Sequence, residues 1–199
     1  MPSTPFKQLR TRAVPLPIEN VDTDQIIPAR YLKATTREGF GDNLFRDWRY
    51  HKDGSPNPDF VLNNALYQGQ LLLAGKNFGC GSSREHAAWA LVDFGFRAVV
   101  SSFFADIFQN NALNNQLLPV VVSEEVLSFL MQTVQAHPET EFLIDLESQT
   151  LQIPALHHST GFDLNPYKKM CLMEGLADLD YLLSLRETIA EYEQKQGLW

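Results

Sequence analysis

The residues of this chain best placed to do chemistry run Gly75-Lys76-Asn77-Phe78-Gly79-Cys80-Gly81-Ser82-Ser83-Arg84-Glu85-His86. Gly79 and Gly81 allow sharp turns and close backbone approach to a ligand. The apolar spacing of Ala87, Ala88, Leu91 and Val92 predicts a helix over 84–94, with Ser82 or Ser83 as its N-cap and Gly95 as its stop. A helix start presents unpaired N–H groups and a positive partial charge, which together favour an anion. Ser82 and Ser83 add hydroxyls there, and Arg84 adds a planar fork suited to a carboxylate. The P-loop pattern is absent, and the dinucleotide pattern fails where Arg84 occupies the third glycine position. A small carboxylate therefore fits better than a nucleotide. The same residues equally suit a capped helix with a glycine turn and a surface arginine.

Other chemical side chains read as structural. Cys80 suits a small buried thiol better than a nucleophile. His86 suits a packed histidine better than a general base, and His51, His157 and His158 suit surface or loop positions. Asp22 and Asp24 suit an Asx turn or cap better than a metal site. The two cysteines, Cys80 and Cys171, match no zinc spacing and are too few for an iron–sulfur cluster.

The loop needs a frame. Gln70–Ala74 and Arg97–Ser101 read as buried strands flanking loop and helix, which makes a βαβ unit. A helix over 105–114, a strand at 120–122 and a helix over 124–136 capped by Ser123 follow. A hairpin then pairs Phe142, Ile144 and Leu146 with Leu151 and Ile153, turning near Ser148, and one polar-faced helix spans 180–196. This order predicts one α/β layered domain over residues 1–199, with a mixed sheet and flanking helices. The stretch 36–59, with Phe40, Phe45, Trp48 and Tyr50, reads as an ordered excursion whose aromatics cover a partner surface.

The chain has 199 residues, 44% of them hydrophobic, enough for a core without disulfides or structural metal. Its formal net charge of -8 and scattered basic residues argue against nucleic acid. No apolar run approaches the ~20 residues that span a bilayer. The N-terminal stretch lacks the apolar segment of a signal peptide, so a cytoplasmic protein is expected.

Asn77-Phe78-Gly79-Cys80-Gly81-Ser82-Ser83-Arg84-Glu85-His86-Ala87 resembles the active-site loop of the aconitase superfamily's swivelling domain. Val21-Asp22-Thr23-Asp24-Gln25-Ile26-Ile27-Pro28, Gly39-Phe40-Gly41, Asp47-Trp48-Arg49, Asn57-Pro58-Asp59-Phe60 and Ser102-Phe103-Phe104-Ala105-Asp106-Ile107-Phe108 resemble further motifs of one branch, the small subunits of bacterial isopropylmalate isomerases. The family's C-terminal Gly-Leu-Asp reads Gly175-Leu176-Ala177 here. The resemblance implies a swivelling β/β/α domain with a C-terminal helical extension. It implies dehydration and rehydration of 2-isopropylmalate to 3-isopropylmalate, in a complex with a large subunit that holds a [4Fe–4S] cluster; no cofactor is expected in this chain. It makes Ser82 the base and places Ser83 and Arg84 on a substrate carboxylate. Tyr31 or Leu32, in the family's recognition loop, meets the isopropyl group in this reading; both equally suit core positions. A related dehydratase acting on homoaconitate or a methylmalate, and a non-catalytic carboxylate-binding assembly module, are the alternatives.

Overall fold

A computed structural model describes residues 5–33, 39–176 and 178–196 of the chain. In order, the elements are β1 (Gln8–Thr11), β2 (Ala13–Leu16), α1 (Thr23–Ile26), α2 (Arg46–Arg49), β3 (Leu71–Ala74), α3 (Glu85–Phe94), β4 (Ala98–Ser101) and α4 (Asp106–Asn114). Next come β5 (Leu118–Val121), α5 (Glu124–Ala136), β6 (Phe142–Asp145), β7 (Thr150–Ile153), β8 (His158–Gly161), α6 (Pro166–Glu174), α7 (Asp178–Ser184) and α8 (Arg186–Gln196).

The α/β class holds, and parallel and antiparallel strands are both present, but each kind keeps its own sheet. One four-stranded sheet runs β2-β3-β4-β5 with every neighbour parallel, and the other runs β1-β6-β7-β8 with every neighbour antiparallel. A single residue, Arg12, separates β1 from β2, so the chain crosses between sheets almost at once. The side-chain patterns explain the segregation. Leu71–Ala74 and Ala98–Ser101 are buried at every position, as strands covered on both faces must be. Phe142–Asp145 and Thr150–Ile153 alternate buried and half-buried residues, as strands with one core face do.

The two-residue period of the parallel strands sorts the core into two clusters. Ala13, Leu71, Leu73, Ala98 and Val100 face the antiparallel sheet and the apolar stripe of α5. Val14, Leu16, Leu72, Ala74 and Val99 face a second cluster with residues of α1, α3 and α4. The result is a β/β/α layering in which β3 sits centrally and hands its C-terminal end to the glycine-rich loop.

Several local readings change. The aromatics of the 40–50 stretch pack inward: Phe40 and Phe45 are buried, and Trp48 is half-buried and stacked on Phe45 with ring centroids 5.6 Å apart. Arg49 is buried too, donating to the carbonyls of Gly41 and Leu44 at 3.3 Å each. These side chains complete this chain's own core, which removes most of the patch assigned to a partner. Residues 36–38 of that stretch, and Ala177, lie outside the described residues.

The helix expected over 180–196 is two helices. Ser184 donates its hydroxyl to the Tyr181 carbonyl at 2.7 Å, and the Leu185 amide closes a tight turn on Leu182 at 3.2 Å. A serine that competes for backbone partners interrupts the ladder. Helix α6 was not anticipated, although its signals are local. Asn165 accepts from the amides of Tyr167 and Lys168, Pro166 opens the first turn, and Gly175 ends the helix at φ +69°.

Gly79 shows how tightly the layers meet. Its φ is +77°, and an added Cβ would fall 2.2 Å from Cγ of Phe108 in α4. Gly54 has a similar φ of +87° but open space around it. Gly79→Ala is therefore expected to cost about 3 kcal/mol or more, and Gly54→Ala about 1 kcal/mol. Urea unfolding of the two variants checks the difference; equal losses would contradict the packing argument.

Candidate active site

The glycine-rich loop continues β3 past its last ladder pair and is held on both sides. On one side it bridges the β4–α4 connection: the Phe78 amide donates to Phe103 O and the Ala105 amide to Phe78 O, each at 3.2 Å. On the other it meets the β2–α1 connection, where the amides of Gly79 and Cys80 donate to Val21 O at 2.8 and 3.2 Å. Parallel bridges pair Asp22 with Cys80 and Phe78 with Phe104. The loop is thus a bulged extension of the parallel sheet at its C-terminal edge, where open α/β sheets place ligands.

Three successive residues of the α1 start then grip three alternate residues of the loop. Asp22 forms the bridge to Cys80. The Thr23 amide donates to Cys80 O at 2.9 Å, and its hydroxyl donates to Ser82 O at 2.9 Å. Asp24 forms an ion pair with Arg84. The match of spacings follows from geometry, because the helix start is compact while the loop beside it is extended. Asp22 is itself fixed as the N-cap of α1, in a capping box with Gln25.

This grip corrects the expected helix start. Neither Ser82 nor Ser83 caps α3; Arg84 is the N-cap residue, with extended dihedrals and no side-chain cap bond, and the helix begins at Glu85. Thr23 and Asp24 draw the loop toward α1, so the serines stay in the connection. Both serines are exposed. Gly81, at φ +90°, makes the turn that presents them.

Arg84 is less free than its sequence position suggests. Its side chain is 14% exposed and its guanidinium rests on the Asp24 carboxylate. The Arg84 contact, aided by the Ala29 amide, holds the Asp24 carboxyl below its usual range despite some opposing desolvation. That carboxylate therefore stays charged through neutral pH, and the pair is lost only as pH falls through the lowered value. Tyr31 and Leu32 are half-buried against the helical-side core. The Arg30 guanidinium lies 4.8 Å from the Tyr31 ring centroid and pairs with Asp47.

The bland readings of the remaining residues agree with their surroundings. His86 packs between Trp89 and Phe40, with ring centroids at 4.5 and 5.5 Å. Cys80 is half-buried, its thiol donates to Asn20 O at 3.4 Å, and burial pushes its pKa up. Cys171 is buried in α6. The roles of Thr23 and Asp24 were missed, although their motif was visible, because a cap and an anchor look alike until the loop is placed against them.

Residues 3–125 match the family described as Aconitase C-terminal domain. A protein of Cytophaga hutchinsonii named 3-isopropylmalate dehydratase small subunit is 58% identical over 189 residues, covering 95% of this chain and 94% of its own. One of the same name from Christiangramia forsetii is 57% identical, covering 96% and 93%. This chain belongs to the 3-isopropylmalate dehydratase small-subunit family. A crystal structure of 3-isopropylmalate dehydratase from Methanocaldococcus jannaschii superposes with a TM-score of 0.68 at 27% identity, over 94% of this chain and 99% of that one.

A [4Fe–4S] cluster, which the superfamily resemblance implies for the complex, does not fit the donors of this chain. Such sites take three or four cysteines. The two here sit apart, one in the loop and one in α6. Among the described residues no group of three or more His, Cys, Asp or Glu could hold a metal ion.

Thr23→Val keeps the shape of a buried side chain and removes its bond to Ser82 O. It is expected to cost about 1 kcal/mol in stability. It is also expected to lower kcat several-fold, with KM within about twofold, because the serine loses its fixed position. Thr23→Ser should restore most of the rate. A Thr23→Val enzyme with wild-type kcat would show that the clamp does not position the serine.

Proposed function

We propose that this chain is the small subunit of a heteromeric hydro-lyase that converts 2-isopropylmalate to 3-isopropylmalate, a step of leucine biosynthesis carried out in the cytoplasm. The observation that carries this reading is the exposed Ser82-Ser83 pair, turned outward by Gly81 and backed by Arg84 at the start of α3, in a chain whose relatives are named as small subunits. An outward-facing serine suits a site completed by a second chain, the large subunit.

In this mechanism Ser82 takes the proton from the carbon beside the one bearing the hydroxyl, which is activated by its neighbouring carboxylate. The hydroxyl takes a second proton from a general acid on the large-subunit side and leaves as water, and an alkene forms. Water then adds back in the opposite sense, giving that second proton back to the same acid, while Ser82 returns its own proton to the other carbon. A neutral serine hydroxyl is a poor base, so Ser82 acts as an alkoxide, favoured by the positive end of α3 and by the Arg84 cation. Ser83 and Arg84 bind the substrate carboxylate. Arg84 has five N–H donors in a planar fork, so it can share itself between Asp24 and the substrate, with Asp24 fixing its orientation beforehand. Tyr31 and Leu32 bound the isopropyl group. A cluster on the large subunit would supply Lewis-acid chemistry at the departing hydroxyl; this chain transfers the proton, binds the carboxylate and bounds the isopropyl group.

The test is an anaerobic assay of 2-isopropylmalate conversion with this chain, its genome-matched large subunit, and both together. Activity is expected only in the mixture. Ser82→Ala should lower kcat by about 100-fold or more, and Arg84→Lys should chiefly raise KM, because a point charge replaces a fork. Full activity from the large subunit alone, or near-normal activity with Ser82→Ala, would overturn the assignment. An inactive mixture with intact cluster would redirect the substrate to another hydroxy acid, resolved by a panel including homoaconitate and methylmalates.

A further inference from the structure

Helices α7 and α8 carry an apolar face that their own chain leaves open. Leu179, Leu182 and Leu183 of α7 are 66%, 55% and 60% exposed, and Ile189 and Tyr192 of α8 are 43% and 61% exposed. Their spacings, i, i+3 and i+4 in α7 and i, i+3 in α8, put each set on one helix face. A groove of about 380 Å³ runs along this stripe, lined by Leu182, Leu183, Arg186, Ile189, Ala190 and Glu193.

We propose that this face docks onto the large subunit, through an apolar surface edged by basic side chains on that partner. The inference rests on the heteromeric reading above. Three observations support it. The first is area: the five side chains expose roughly 500–600 Å² together, at the upper limit for a patch on a lone protein and most of the ~800 Å² that one side of a stable interface buries.

The second is preorganisation. Asp178 at the head of α7 accepts from Lys168 Nζ at 2.7 and 3.0 Å and from the Tyr167 hydroxyl at 2.9 Å. The Tyr167 and Tyr181 rings meet edge-on at 4.9 Å, and Gln116 Nε2 donates to Leu176 O at 3.2 Å. These contacts fix the start of α7 against the body, which lowers part of the ordering cost of binding.

The third is charge. Asp180, Glu187, Glu191 and Glu193 outweigh Arg186 and Lys195 on the two helices, and the whole chain carries -8. A second copy would meet itself through the same patch and bring like charges together. A basic-edged partner would be attracted instead. The similarity to a small-subunit relative reaches α7. An alignment covering 189 of 199 residues must span α7, whereas the superfamily match ends at residue 125.

The experiment uses the full chain and its purified, cluster-loaded large subunit under anaerobic conditions. Dissociation constants are measured by titration for wild type, for Leu183→Glu/Ile189→Glu, for the milder Leu183→Ala/Ile189→Ala, and for Leu66→Glu as a control at an exposed leucine of another surface. The charged double variant is expected to weaken association about tenfold or more and the alanine variant by less. The control should not change, and kcat at saturating large subunit should stay within about twofold for the alanine variant. Unchanged affinity in both double variants, with normal activation, would sink the docking proposal and leave the functional reading standing. A wild-type chain that dimerises alone through this face, and keeps its affinity for the large subunit when the face is mutated, would assign the face to a second copy. A wild-type chain that neither binds nor activates the large subunit would overturn both readings together.

Discussion

The grip of the α1 start on the glycine-rich loop is the constraint on which the site depends. A loop with positive φ at Gly79 and Gly81 has few conformational preferences of its own, and exposed serines do not hold a position. Thr23 supplies what the loop lacks: a buried residue that ties down two carbonyls, Cys80 O through its amide and Ser82 O through its hydroxyl. Each net bond is modest, but a buried donor left unpaired is costly, so the arrangement tolerates few alternatives. Asp24 extends the same logic to Arg84. The arginine cannot swing into solvent while the carboxylate holds it, and the arginine in turn holds the carboxyl below its usual range.

That grip works because of the layers beneath it. The parallel sheet brings the ends of β2, β3 and β4 to one edge, and the connections leaving those ends are the segments that pair across the loop. Gly79 lets α4 come within contact of the loop through Phe108, whose ring also packs edge-on against Phe78 at 5.2 Å between centroids. The floor of the site is therefore aromatic and rigid, while its upper surface is polar and open. A rigid floor with an open face suits a half-site that another surface closes.

The exposed apolar surface of the chain is not the one that composition suggested. Aromatic residues between 40 and 50 looked like contact residues because they are large and crowded into an irregular stretch, and irregular stretches run over surfaces. Here the stretch folds back and buries Phe40 and Phe45, with Arg49 satisfying the buried carbonyls of Gly41 and Leu44 from within. The open apolar face belongs instead to regular helices near the end of the chain. Helical periodicity alone could not reveal this, because an amphipathic helix has the same pattern whether its apolar face meets its own core or a partner.

The division between sequence and tertiary structure follows the range of the interactions. Local signals were legible: Ser123 as a helix cap, Gly95 as a helix stop, the hairpin of β6 and β7, the buried runs of β3 and β4, and the glycine-serine-arginine loop with its family resemblance. Each depends on neighbours within a few residues or on a motif, and such preferences survive without the rest of the chain. What only the folded chain decided involves partners far apart in sequence. The strands sort into two sheets because Arg12 lets the chain change sheets. The serines lose the cap position because Thr23 and Asp24, some sixty residues earlier, pull the loop away from the helix axis. Arg84 is already paired because Asp24 reaches it across that same gap. A cap and a loop each state their own preference in sequence, but which preference yields is set by the energy of long-range contacts.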